Sequence, residues 1–291
     1  MDIRVLRYFL IIAEMHTMSK AANSLHISQS NLSKQISNLE TDLGVKLFNR
    51  DYHEMTLTEE GRYLQFRAKE IVRLVDKTQA TLQSNNSLIN GELDIGAGES
   101  NGMKRILQIV SAIQKDHPDV KIHLHSGDAD EIENKLVSGT LDFGVIMGER
   151  RLTQYNSLRL PDIDRWGIIL PIEDPLVEKQ TITPEDLNDR PVILSEQAYQ
   201  QQRFEDWWRN ESDNINIIGT YNLLFNAAIM VQNHSCLALA FENLISVEQN
   251  SQLTFRPLEP EQIEPTTLIW QKNNSLLSVA TLFLNKLKAS L

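Results

Sequence analysis

The chain is short of several things, and each shortage removes a class of function. Cysteine is nearly absent: Cys236 stands alone in 291 residues, so no disulfide can close within the chain. That fits a reducing compartment, makes the cytoplasm the expected location, and excludes a redox switch built from paired cysteines of one chain. No apolar run approaches the ~18 residues of a membrane span, so no membrane partner is expected. The first residues, MDIRVLRYFLIIAEM, have an apolar middle but an acid on either side and no small-residue cleavage pattern, so no signal peptide is expected. Chemistry-bearing motifs are missing as well. There is no Walker loop, no nucleophile elbow and no His-Glu-x-x-His. No catalytic residue, metal or cofactor is therefore assigned. Positive charge is scarce: 28 Lys and Arg face 39 Asp and Glu, a formal net charge of −11. The deficit is uneven. Residues 1–90 carry 11 Lys and Arg against 10 Asp and Glu, and the remaining 201 carry 17 against 29. A balance near +1 is low for a nucleic-acid-binding module, whose usual footprint is basic. A second copy of the chain, with its cations aimed locally at the backbone, would compensate.

What is present begins with Ser19 to Gly44, SKAANSLHISQSNLSKQISNLETDLG. Met18, Ala21, Ala22 and Leu25 carry one short amphipathic helix, with Thr17 as its cap. Leu32, Ile36, Leu39 and Leu43, at steps of four, three and four, carry a second. His26-Ile27-Ser28 turns the chain between them, and Ser28 can cap the second helix through its hydroxyl. The outer face of that helix opens with Gln29, Ser30, Asn31, Ser33 and Lys34, followed by Gln35 and Ser37. Small donors and acceptors with one cation suit base edges and phosphate oxygens in a groove. The pattern predicts a helix-turn-helix whose second helix enters the major groove of double-stranded DNA.

Around it, residues 3–14 predict a supporting helix on Val5, Leu6, Phe9, Leu10 and Ala13. Gly44 predicts a left-handed C-cap. The stretches 45–50 and 56–58, either side of a polar tip, predict a β-wing, with Arg50 and His53 placed to touch the sugar-phosphate backbone. A helix follows from Thr58 to about Gln83. Leu64, Ala68, Ile71, Val75, Thr78 and Leu82 space it as a heptad-type seam, which predicts a dimerisation helix. The polar, small-residue run 84–91 predicts a hinge.

From Gly91 the texture becomes strand-helix alternation, which predicts βαβ units and a parallel sheet. The predicted strands are 92–97, 120–125, 142–147, 166–170, 192–194, 215–218, 237–241, 253–257 and 268–271. The predicted helices are 103–116, 131–137, 200–209, 222–232 and 276–287, with short turns of helix at 184–187 and near Leu244. About 200 residues is long for one such sheet, so two α/β subdomains are expected, with the chain crossing between them twice. A cleft between two open sheets is a natural site for a small molecule.

The N-terminal pattern resembles the LysR-type transcriptional regulators. The resemblance is carried by Leu6, Phe9, Ala21-Ala22, Leu25, Ser28 to Ser33, Gln35-Ile36, Leu39-Glu40, Leu43-Gly44, Leu47-Phe48-x-Arg50 and Leu57-Thr58-x-Glu60-Gly61. It continues more loosely through Ile95-Gly96, Pro118, Gly127, Gly139-x-Leu141-Asp142 and Trp166 to Pro175. It implies an α/β chain with an N-terminal winged helix-turn-helix at 1–58, a linker helix and hinge at 59–90, and a periplasmic-binding-protein-like effector domain at 91–291. Within that domain, 91–161 with 266–291 would form one α/β subdomain and 162–265 the other. It further implies pairing through the linker helix, a homotetramer built as a dimer of dimers, contact with RNA polymerase, and a small effector in the cleft. Ser30-Asn31 stands where many members have Pro-Ala, so base preference is expected to differ.

The resemblance also locates effector contacts, at Ser100 and Asn101, at Ser126 and Asp128, and on the facing subdomain at Ser195 and Asn222, the last beside Tyr221. Ser100 begins a helix whose N–H groups can hold an anion. Asp128, Glu99 and Glu196 surround the same cleft with negative charge and favour a cationic, neutral or amino-bearing effector instead. Cys236, on an apolar strand, reads as packing. His123 and His125 share one face of a strand, but no further ligand lies near in sequence. Trp207-Trp208 reads as one core and one surface residue. Two other functions remain open at this point. An α/β transferase or decarboxylase would need a compact nucleophile, base and oxyanion donor. A solute receptor with an appended domain would need an export signal.

Overall fold

The computed structural model describes residues 1–50, 54–83, 91–209, 215–245, 252–272, 276 and 278–291, without the side chains of Arg50, Lys77 and residues 80–83. It divides into two compact units, Met1–Asn85 and Asn86–Leu291.

In the first unit, helix α1 (Ile3–Met15) is capped by Asp2, and α2 (Met18–Ser24) by Thr17. His26 takes a left-handed conformation (φ 55°) and turns the chain into α3 (Gln29–Leu43). The Ser28 hydroxyl accepts the Asn31 N–H at 3.3 Å, and Gly44 closes α3 at φ 71°. Leu6, Phe9, Ile12, Ala21, Ala22, Leu32, Ile36 and Leu39 are buried together, which is why the three short helices hold one arrangement. Strands β1 (Phe48–Arg50) and β2 (Met55–Leu57) pair antiparallel as the wing.

Helix α4 (Glu59–Gln83) returns along α1. Ala68 is fully buried, Leu64 and Val72 pack on the same core, and Arg7 pairs with Asp76. This changes the predicted seam: Leu64 and Ala68 face the unit's own core. The large apolar residues left outward are Tyr63, Phe66, Leu74 and, from the predicted seam, Ile71. Leu82 and the hinge 84–90 lie outside the described side chains and residues.

In the second unit, β3 (Gly91–Ala97), β4 (Val120–Ser126) and β5 (Phe143–Met147) run parallel, with α5 (Gly102–Asp116) and α6 (Ala129–Val137) between them. Then comes β6 (Tyr155–Pro171), followed by β7 (Pro191–Ser195), α7 (Glu196–Gln200), β8 (Asn216–Tyr221), α8 (Leu224–Gln232) and β9 (Leu237–Phe241). Next are β10 (Leu253–Pro257), β11 (Ile263–Gln271) and α9 (Ser278–Ala289). The strand order is β4-β3-β5-β11-β6-β9-β7-β8, with β10 on β6.

Two strands carry the chain between the halves of this sheet. Residues 155–165 of β6 lie against β11, whereas its residues 166–171 lie against β9 and β10. One core forms around Leu93, Ile95, Phe143, Leu268 and the α9 residues Phe283 and Leu287; another forms around Trp166, Ile168, Phe204, Leu239 and Leu258. The parallel strands end, at Ala97, Ser126, Ser195 and Tyr221, on loops that meet across the join.

Five local expectations change. The strand predicted at 166–170 is the end of a 17-residue strand, and that at 268–271 begins at Ile263. Residues 201–209 form successive turns instead of the predicted helix, because Gln202 takes φ 53° and ends α7. Both Trp207 and Trp208 are buried against Phe204. The residues near Leu244 form a turn.

Candidate nucleic-acid interface and ligand cleft

Helix α3 turns Leu32, Ile36 and Leu39 inward, which leaves the opposite side in water. At about 100° per residue, Gln29 and Asn31 flank Ser30 on the first turn, and Lys34 follows one turn later. Gln29, Ser30, Asn31 and Lys34 are exposed and Ser33 is half-buried. Ser30 lies 3.3 Å from the Ser28 hydroxyl. The side chains of Gln29, Asn31, Ser33 and Lys34 make no hydrogen bond among the described residues, so their donors and acceptors face solvent. Arg50 pairs with Met55 in the wing; its side chain, and all of His53, lie outside the described residues.

Sequence reasoning placed Glu40 in a motif but gave it no role. Its carboxylate is buried at the end of α3 and accepts the Leu47 N–H at 2.9 Å, the Phe48 N–H at 3.4 Å and the Lys46 ammonium at 2.9 Å. Burial alone would raise this carboxyl; the Lys46 ammonium and the two amides outweigh it and hold it below the usual range. Glu40 thus fastens the wing to the recognition helix. Gly61 is required by space, because a Cβ there would meet the Leu47 carbonyl, while Thr58 caps α4 through the Gly61 N–H at 2.9 Å.

At the sheet join, the expected effector residues are drawn together in part, and α5 corrects one expectation. Its N-terminus is filled by the chain's own Asp164, wholly buried on β6. Ser100 Oγ donates to Asp164 Oδ2 at 2.5 Å, and Asn101 donates to Oδ1 through its backbone N–H at 2.7 Å and its Nδ2 at 3.1 Å. Thr266 Oγ1 reaches Oδ2 at 3.4 Å. Asn101 Nδ2 also donates to the Glu242 carbonyl, at 2.6 Å, at the end of β9. Gly102 lets β11 close on this turn: a Cβ there would stand 2.6 Å from Thr266 Cγ2.

The other residues act as caps. Asp128 caps α6 by accepting the Glu131 N–H at 2.8 Å, and Ser195 caps α7 by accepting the Ala198 N–H at 3.2 Å. Gln197 Oε1 accepts the Ala129 N–H at 3.3 Å, which links α7 to α6. Glu99 accepts the Leu224 N–H at 2.7 Å and so caps α8 from the β3–α5 loop. Ser126 and Asn222 are exposed at the ends of β4 and β8, and neither makes a side-chain hydrogen bond among the described residues. Beneath Asn222, Tyr221 donates to the Leu239 carbonyl at 2.6 Å; burial first, then the Glu99 charge, push its phenol above the ordinary value.

Beside Asn101 a groove of about 420 Å³ opens, bounded by Lys104, Arg165, Asp162 and Glu242. Its charges are mixed in sign. His123 and His125 pair with Glu92 at 3.4 Å and Asp94 at 3.3 Å, and Cys236 is buried with its thiol pushed up by burial. Among the described residues no helix is long and apolar enough to cross a membrane.

A winged helix-turn-helix joined to a two-part α/β domain with a central cleft defines a DNA-binding regulator that carries a ligand domain. Residues 3–62 match the model of the bacterial regulatory helix-turn-helix protein of the lysR family, and residues 86–291 match the LysR substrate binding domain. The chain belongs to the LysR family of DNA-binding transcriptional regulators. It is 29% identical over 212 residues to the HTH-type transcriptional activator IlvY of Salmonella typhimurium, covering 72% of this chain and 71% of that one. It is 23% identical over 290 residues to the HTH-type transcriptional regulator YvbU of Bacillus subtilis, covering 99% and 98%. The crystal structure of full-length CbnR with its target DNA shares the fold with a TM-score of 0.76, at 18% identity and full coverage of both chains. These relatives are regulators, not enzymes.

Proposed function

We propose that the chain is a cytoplasmic regulator whose operator binding, or bending of operator DNA, is set by a small molecule in the cleft of residues 91–291. The observation that carries this is the first two turns of α3, whose Gln29, Asn31, Ser33 and Lys34 have no partner of their own among the described residues. In this reading Gln29 and Asn31 meet base edges, Ser30 and Ser33 lie along the groove, and Lys34, Arg50 and His53 meet phosphates. Residues 1–58 are the reading head and 59–90 the pairing helix and hinge. A homodimer forms through α4, supported by its outward Tyr63, Phe66 and Leu74, and pairs of dimers form a homotetramer. Dimer symmetry places two half-sites about one helical turn apart, or multiples of it. RNA polymerase is the further partner.

The effector acts only through different affinities for two arrangements of the assembly, typically worth ~1–3 kcal/mol. Ser100, Asn101, Ser126, Asp128, Ser195 and Asn222 surround its site. Because the chain's own carboxylates already occupy the helix ends there, a cationic, neutral or amino-bearing molecule suits the space better than a simple acid.

Electrophoretic mobility shift across a salt series, on the DNA upstream of the protein's own gene, tests the reading. Lys34→Ala weakens binding on every sequence and flattens the salt slope by about one unit. Unchanged affinity and slope would rule out this docking. No retardation of the folded dimer at low salt would rule out the regulator reading of this operator.

A further inference from the structure

A helix N-terminus at the carboxyl ends of parallel strands, facing a cleft, is where an anion is ordinarily held, because its N–H groups and dipole point at the ligand. Here the most enclosed such place is already taken. The Asp164 carboxylate enters from the crossing strand β6, is wholly buried, and meets a hydroxyl, a backbone N–H and a side-chain amide at the start of α5. Its neighbours on the same face of the crossing pair are pinned too. Asp162 pairs with Arg105 on α5 at 2.6 Å, and Glu264 receives Trp166 Nε1 at 3.2 Å and pairs with Arg203. Across the join, Glu99, itself exposed, accepts one backbone N–H at the start of α8. Two helices, α5 and α8, thus each receive a carboxylate from a different segment of the chain, but only at α5 is it buried and bonded to several donors.

We propose that Asp164 is a tethered ligand, a carboxylate supplied by the chain in the position a soluble carboxylate effector would occupy. It holds α5 against the crossing strands without any added molecule, and Asn101, oriented by it, reaches the Glu242 carbonyl on the far side. Small carboxylates are therefore refused at α5, and a regulatory ligand must act elsewhere in the cleft. This rests on the reading of residues 91–291 as an effector domain. Its test involves no DNA, so failure of the operator assay and failure of this assignment are separate results.

Removing the tether creates a receptor. Asp164→Ala leaves a space the size of formate, and Asp164→Gly a space the size of acetate. Thermal unfolding of the full chain is followed in sodium chloride, sodium formate and sodium acetate at equal ionic strength. The expected result is that Asp164→Ala melts several degrees lower in chloride and regains at least half the loss in formate, with a saturable dependence. Asp164→Gly prefers acetate, and the parent protein melts alike in all three salts. Ser100→Ala, which keeps the tether, is mildly destabilised and ignores formate. If the Asp164 variants gain no more from formate or acetate than from chloride, the assignment is overturned. It is equally overturned if the parent protein gains as much as they do. Where a variant does not fold in chloride, refolding yield reads the same quantity, and equal yields in carboxylate and chloride overturn it.

Discussion

At the scale of single residues, Glu40 couples a sequence motif to a mechanical task. Two backbone amides of the wing end on one buried carboxylate, so its loss leaves both without a partner. Glu40→Ala, which removes the acceptor of both amides, should cost about 1–3 kcal/mol at neutral pH, the usual cost of an unsatisfied buried group. The sign of its pH dependence follows from its folded-state value lying below the unfolded one. The contribution is present above the unfolded carboxylate range and is lost as pH falls through the folded value. The melting temperatures of parent and variant should therefore converge in acid. Far-ultraviolet circular dichroism reads this, whereas indole fluorescence should not, since all four tryptophans lie at or beyond position 166. A gap that widens in acid would refute the assignment. Residue roles were legible where one residue type is forced by geometry, as at Ser28, Gly44 and Thr58. The purpose of Glu40 was not, because its amide partners lie seven and eight residues on and become neighbours only when the wing folds. Asp164 was hidden for the same reason: 63 and 64 residues separate it from Asn101 and Ser100.

At the scale of elements, α4 shows how periodicity can identify a helix and misplace its faces. Leu64 and Ala68 belong to the predicted seam, yet α1 uses them first. On the outward side Arg67 lies 5.8 Å and 5.4 Å from the ring centres of Tyr63 and Phe66 and pairs with Glu70 at 3.0 Å. An aromatic pair held in water by one cation is a poor surface for a monomer and a good one for self-association. If the proposed dimer forms through α4, Phe66→Glu should shift it toward monomer by tenfold or more, as read by analytical ultracentrifugation, and leave the melting of the unit unchanged. An unaltered mass would move the interface elsewhere. The long strand β6 was only half legible, since its stretch 156–165 carries Arg159, Asp162, Asp164 and Arg165 and reads as loop. Each of these is paired, Arg159 with Glu149, Asp162 with Arg105, Asp164 with α5 and Arg165 with Glu261, but Arg159 and Arg165 stay exposed while Asp164 is wholly buried, so charge alone does not tell the anchored positions of this strand from the solvated ones. The opposite error occurred at 201–209, where Phe204, Trp207 and Trp208 have helical spacing. Such spacing reports which side is buried, not which carbonyl accepts each N–H.

At the scale of the whole molecule, the strand-helix alternation from Gly91 onward made the layered α/β architecture readable. What alternation does not show is which late segment completes which early sheet. Here β11 lies between β5 and β6, and α9 packs Val279, Ala280, Phe283, Leu284 and Leu287 onto the core of β3, β4 and β5. A chain stopped after Gln271 should leave that core open. Hydrogen exchange would then find the β3–β5 amides unprotected while the core around Trp166 retains part of its protection. Equal protection in the shortened and full chains would contradict this. The crossing strands also bear on the order of synthesis. Domains form from the N-terminus as the chain emerges, at roughly 5–20 residues per second. The edge left by β5, which ends at Met147, must wait for the strand ending at Gln271, so it is carried through the translation of roughly 120 further residues, a delay on the order of ten seconds at that speed. The reading head has no such dependence, since its core closes within Met1–Asn85. On the ribosome, the nascent protein would hold a finished DNA-reading surface well before it holds a finished sensor.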